Sequence, residues 1–226
     1  MLGILVVLIL SWFVLWLFLK EHIPVLGIRP TNRRLTEFSF GLLLMAIFCA
    51  INLFGQSCFK EICYVQNPDY GIWEGLKDIW WTFKAALFEE LIFRGAVLYI
   101  LIKKIGAVKA CIASAIAFGI YHWFSYQMFG LGIVPIIYVF LLTGAGGWMF
   151  AYAFAKTKSL YAPLGLHFGW IVISIVVFSA GPLGNSLLIT EGEAVELGGW
   201  GQLLFFLWQA VVVPGIVTWY LVKKYK

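Results

Sequence analysis

Two adjacent glutamates, Glu89 and Glu90, interrupt the long apolar run Ile79–Ile102. An ionised group at the centre of a membrane helix costs about 2.5–3.5 kcal/mol on insertion scales, so something must offset it. Arg94 follows Glu90 by four residues, which puts the two on one helical face where they can pair. Glu89 is rotated about 100° from Glu90 and has no such partner within the helix. A carboxylate left free in that way is a candidate to take a proton from water. Two of the three histidines repeat the anomaly: His122 and His167 fall within or at the ends of other apolar segments, whereas His22 lies in a basic loop. A carboxylate and two imidazoles can activate water and stabilise an oxyanion; alternatively, the same three groups can ligate zinc and leave one position for water.

The elements that position these residues follow from composition. The chain of 226 residues is 62% hydrophobic and only 12% charged, with a mean hydropathy of +0.94. Soluble domains run nearer half apolar and a quarter charged, so lipid is the expected solvent. Seven segments approach the roughly 20 apolar residues that a bilayer needs: Leu2–Leu19, Phe38–Phe54, Ile79–Ile102, Ala107–Phe124, Leu131–Ala155, Ser159–Ala180 and Trp200–Val222. Helix is the expected conformation throughout, because unpaired backbone is intolerable in lipid. The expected fold is all-α, a single membrane bundle over residues 1–226. The first segment has no basic leader and no small-residue cleavage site after it, and reads as a retained helix rather than a signal peptide.

Loop charges set orientation. Arg29, Arg33 and Arg34, then Lys103, Lys104 and Lys109, then Lys156 and Lys158, and finally Lys223, Lys224 and Lys226 all fall on one side of a seven-span arrangement. The acids Glu61, Asp69, Glu74, Asp78, Glu191, Glu193 and Glu196 fall on the other. The positive-inside rule then places the N-terminus outside and the C-terminus in the cytoplasm of a prokaryotic cell membrane. It also accounts for the net charge of +5 without nucleic acid, since no aromatic-interleaved basic face exists. Cys58 and Cys63 share the external polar loop, where a disulfide and two free thiols both remain open. Cys49 and Cys111 lie in helices and read as small packing residues.

The short connection near Lys103–Gly106 makes helices three and four an antiparallel hairpin. Fourteen residues separate Glu89 from Lys103 and fifteen separate Ala107 from His122, so each side chain lies roughly 21–23 Å from the turn. Glu89 and His122 are therefore expected at the same depth. His167 is only eight residues beyond Ser159 and by the same ruler is shallower, unless its helix starts deeper or tilts.

Glu89-Glu90-Leu91-Ile92-Phe93-Arg94 resembles the E-E-x-x-x-R motif of the CAAX-protease and bacteriocin-processing (CPBP, or Abi) membrane proteins. Phe118-Gly119-Ile120-Tyr121-His122 resembles their F-x-x-x-H motif, and His167 opens a stretch similar to their H-x-x-x-N or D motif. The resemblance covers roughly residues 79–175. It implies a glutamic intramembrane endopeptidase with Glu89, His122 and His167 as catalytic residues and Glu90 and Arg94 in support. Ile171 departs from the pattern, since the family has Asn or Asp there to help hold the oxyanion; Ser174 is the nearest substitute on that face.

The expected mechanism is metal-free. Glu89, oriented by His122, takes a proton from water, and His167 donates to the oxyanion. The substrate is a membrane-associated or lipidated peptide, a C-terminal tail or a bacteriocin leader. A zinc enzyme using Glu89, His122 and His167 is the second choice, weakened by the absence of an H-E-x-x-H helix. A transporter would carry similar buried charges, but Pro135 and Pro163 are the only hints of broken helices, and no internal repeat is visible. A non-catalytic immunity or partner protein draws its support from Ile171.

Overall fold

The computed structural model describes residues 2–225; Lys226 of the basic tail lies outside them. The chain folds into a helical membrane bundle. Helix α1 (Leu2–Leu19) is followed by a 3-10 turn (Ile23–Leu26), α2 (Asn32–Lys60) and strand β1 (Cys63–Gln66). Next come α3 (Ile72–Phe93), α4 (Ala96–Ile105), α5 (Ala107–Ser125) and α6 (Ile133–Thr157). Helix α7 (Tyr161–Ile171) continues as π-helix over Val172–Val177, and β2 (Leu188–Glu191) follows. The last passage is α8 (Gly199–Leu207), a π-turn (Trp208–Val212) and α9 (Val213–Lys224). Apolar side chains point outward as well as inward: Leu5, Ile9 and Phe13 of α1 are exposed while Leu15 is fully buried. A helix apolar all round belongs in a core or in lipid, and the outward apolar side chains here fit a lipid surround.

Five helices are long and apolar enough to cross a membrane, rather than the seven unbroken spans expected: α1, α2, α5, α6 and the composite Gly199–Lys224. The other two passages are shorter or interrupted. The expected helix Ile79–Ile102 breaks at Arg94–Gly95 into α3 and α4. A Cβ at Gly95 would run into the backbone carbonyl of Leu91, so only glycine permits the bend. The expected helix Ser159–Ala180 is the apolar stretch Tyr161–Val177, with its last turns wound as π-helix. Pro135 and Pro163 break nothing. Each is the third residue of its helix, in the first turn, where a missing N–H is harmless. The disruptive proline is Pro214, beside the π-turn of the last passage.

The alternation of passages agrees with the loop-charge pattern. The first connection, the α6–α7 link and the C-terminal end gather on one face. There Leu160 N–H donates to Leu26 O at 3.2 Å, and Lys156 Nζ donates to Tyr225 O at 3.1 Å. Tyr225 also donates its hydroxyl to the buried carboxylate of Glu37, which holds Arg33 as well. At the opposite end β1 and β2 form a two-stranded antiparallel sheet, pairing Cys63 with Glu191 and Gln66 with Leu188. This sheet was not legible as such: its strands are four residues each and lie more than a hundred residues apart. Cys58 and Cys63 are free, exposed thiols, whereas Cys49 and Cys111 are buried in the helices.

Helices α2 and α7 form one of the most extensive contacts in the bundle. Gly165 and Gly169, four residues apart on α7, let it lie directly on the α2 backbone at Phe38 and Leu42, where any Cβ would collide. This is the small-xxx-small packing by which membrane helices approach closely. His167 sits between these two glycines, so this close helix crossing also fixes its position along α7.

Candidate active site

Glu89 and Glu90 lie near the C-terminal end of α3, just before the Arg94–Gly95 bend. The bend turns Arg94 back onto Glu90, and both side chains are completely buried. Arg94 Nε donates to Glu90 Oε2 at 2.6 Å and Nη2 donates to Oε1, a forked pair. The guanidinium also lies over the ring of Phe118 at 4.3 Å and near that of Phe150 at 5.1 Å. A guanidinium stays charged in any protein, so Glu90 is held as its carboxylate and can only accept.

Glu90 does more than pair with Arg94. Its Oε1 also accepts from His167 Nδ1 at 2.8 Å, joining α3 to α7 through one carboxylate. Because Nδ1 must carry the proton, neutral His167 presents the lone pair of Nε2 on its other side. That nitrogen approaches Glu89 Oε2 at 3.8 Å. The ring itself is sandwiched, stacked on Phe150 at 4.9 Å and edge-on to Phe118. Glu89 Oε2 is buried and makes no hydrogen bond. At 3.8 Å the pair is too far apart for a direct bond, and spacing of this kind invites a bridging water.

His122 on α5 is buried close by, but among the ion-pair and hydrogen-bond contacts of the described residues none joins it to Glu89. Its Nδ1 donates to Phe118 O at 2.8 Å, one turn back on its own helix, which again leaves Nε2 as the acceptor. Equal depth along the helices does not by itself bring a bond between Glu89 and His122. The imidazole beside Glu89 is His167, on α7. Ser159 is fully buried beneath the first connection, with its hydroxyl donating to Gly27 O at 3.2 Å.

His122 and His167 share a cavity of about 140 Å³ with Ile171, Thr143 and Gln209 among its walls. Ile171 faces the space, as the family register implied. Ser174 does not substitute for the missing amide, since its hydroxyl donates to Ile171 O at 3.3 Å. Phe150 and Gln209 were missed from sequence. Phe150 resembles any other packing aromatic, but Gln209 carried a signal, an amide in the middle of an apolar helix.

Residues 76–173, which contain the Glu89–Arg94 run, His122 and His167, match the family model of type II CAAX prenyl endopeptidase, Rce1-like proteins. That segment is Rce1-like. No curated protein and no solved structure matches the chain. The similarity is confined to that segment, while the long apolar helices around it are those of an integral membrane protein. Zinc is a poor fit to the side chains as they stand. Among the described residues no three His, Cys, Asp or Glu groups converge as a ligand set, and His167 Nδ1 already faces Glu90.

Proposed function

We propose that this chain is a metal-free glutamic endopeptidase acting on the prenylated or otherwise lipidated tail of a membrane-associated peptide. The observation that carries the proposal is Glu89 Oε2, a buried carboxylate oxygen with no hydrogen bond, 3.8 Å from an imidazole whose tautomer is already set. Water between Glu89 and His167 gives up a proton to Glu89 as its oxygen attacks the scissile carbonyl carbon. The carbonyl oxygen becomes the oxyanion of a tetrahedral intermediate. When the C–N bond breaks, the amine leaves with the proton that Glu89 took, directly or through His167 Nε2. Glu90 and Arg94 hold His167 in register, and a site inside the bundle receives a lipid-anchored substrate laterally.

The direct test is cleavage of a fluorogenic peptide ending in a prenylated cysteine and three further residues, by purified protein in lipid nanodiscs. Turnover is expected, unchanged by a strong chelator. Activity that falls on chelation and returns with added zinc would overturn the metal-free mechanism and move Glu89, His122 and His167 into a metal shell.

The proposed orientation, N-terminus outside and C-terminus in the cytoplasm, has its own test. Cys58 and Cys63 are the exposed thiols, and Cys49 and Cys111 are shielded. An impermeant maleimide added to intact cells should therefore label the wild type at Cys58 and Cys63. Lys158→Cys in a Cys58→Ser/Cys63→Ser background should label only after lysis. Labelling of that variant from outside would invert the topology.

A further inference from the structure

Several polar groups on the wall of the cavity beside the two histidines are already engaged. Phe118 O and the Glu90 carboxylate hold the Nδ1 protons of His122 and His167, so in its neutral form each ring turns an acceptor, Nε2, to its free side. The Thr143 hydroxyl donates to Val139 O at 2.7 Å. Ile171 has nothing to offer. A tetrahedral intermediate needs a donor aimed at its oxygen before the proton reaches His167.

Gln209 meets that need. Its Nε2 donates to Phe205 O at 3.1 Å. A carbonyl can only accept, so the orientation of the amide is fixed by this bond, and one N–H is left over. Gln209 lies in the π-turn Trp208–Val212 and on the wall of the cavity that contains His122, His167 and Ile171. Pro214 has no N–H to give Ala210, and the chain adapts by bonding Val213 N–H to Trp208 O, five residues back. Such bulges re-aim side chains and recur at functional sites. The neighbouring Trp208 ties the turn to α2, with its Nε1 donating to Phe48 O at 3.4 Å and its ring edge-on to Phe48.

We propose that Gln209 donates the hydrogen bond that holds the carbonyl oxygen of the scissile peptide, in place of the side chain that Ile171 cannot supply. The proposal rests on the endopeptidase reading above. Tyr126 and Trp170 also carry donors on this wall; Gln209 stands apart because its bond to Phe205 O fixes the orientation of its amide.

The experiment uses the same prenylated fluorogenic peptide and the full-length protein in nanodiscs. Gln209→Leu is expected to lower kcat about 100- to 1,000-fold, the usual consequence of losing one oxyanion donor, with KM changed less than threefold. Ile171→Asn alone should change little, because a donor is already present. Combined with Gln209→Leu it should restore at least tenfold of the lost kcat, since both side chains face one cavity. A merely structural Gln209 would instead lower thermal stability and leave kcat of the folded fraction intact. Full kcat in Gln209→Leu beside an active wild type would overturn the proposal alone, as would a large loss in Tyr126→Phe with none in Gln209→Leu. A wild type that neither binds nor cleaves the peptide would overturn the endopeptidase reading, and this proposal with it.

Discussion

Replacing Glu89 by Gln is expected to abolish cleavage of a prenylated peptide while the protein inserts and unfolds almost as the wild type does. The substitution keeps shape and removes only the capacity to take a proton. Removing a general base typically costs 10²- to 10⁴-fold in rate, and a loss within that range is expected here. Stability should hold because Glu89 Oε2 makes no hydrogen bond, and its contact with His167 at 3.8 Å lies beyond bonding distance. The measurement is single-turnover cleavage alongside thermal unfolding in the same nanodiscs. Near-normal turnover in Glu89→Gln would remove Glu89 from the chemistry. Unchanged turnover with a large drop in unfolding temperature would make it a structural residue.

Much of this site was legible in the sequence because lipid makes buried charge conspicuous. Glu89, Glu90, Arg94, His122 and His167 each stand out from an apolar background, and the structure gathers all five near one cavity and one bend. The pairing among them was not legible. Depth counted along straight helices put Glu89 level with His122, but it is His167 that comes within 3.8 Å of Glu89, where Gly95 bends the third passage and the start of α7 packs under the first connection. Both are tertiary effects: the first depends on a backbone turn that only glycine allows, the second on Ser159 and Leu160 docking under residues more than 130 positions earlier. The small β1–β2 sheet escaped for a similar reason, since short strands far apart in sequence leave no local period to read. Gln209 was readable and overlooked, because a neutral amide in an apolar helix is a quieter signal than a charge.

Arg94→Leu is expected to be the most destabilising single change in the site. The guanidinium and the Glu90 carboxylate are both completely buried and bonded as a fork. Removing one partner leaves a bare charge in a medium of low dielectric, which costs about 3–5 kcal/mol. At roughly 2–4 °C per kcal/mol for a chain of this size, the unfolding temperature should fall by about 6–20 °C. Arg94→Lys should fall between the two, since it keeps the charge but cannot form the fork. The informative variant is the double one, Glu90→Gln with Arg94→Leu. If the pair matters to the fold only as two charges that need each other, the double variant should recover much of the lost stability, because no uncompensated charge remains. Activity should not recover with it. Glu90 Oε1 is also the acceptor that keeps the proton on His167 Nδ1, and a glutamine there can offer His167 either an acceptor or a donor. His167 would lose its fixed tautomer, and the Nε2 beside Glu89 would no longer be held as a proton acceptor. A double variant that regains both stability and turnover would reduce Glu90 and Arg94 to scaffolding. One that regains stability alone would place Glu90 in the chemistry as the residue that positions His167.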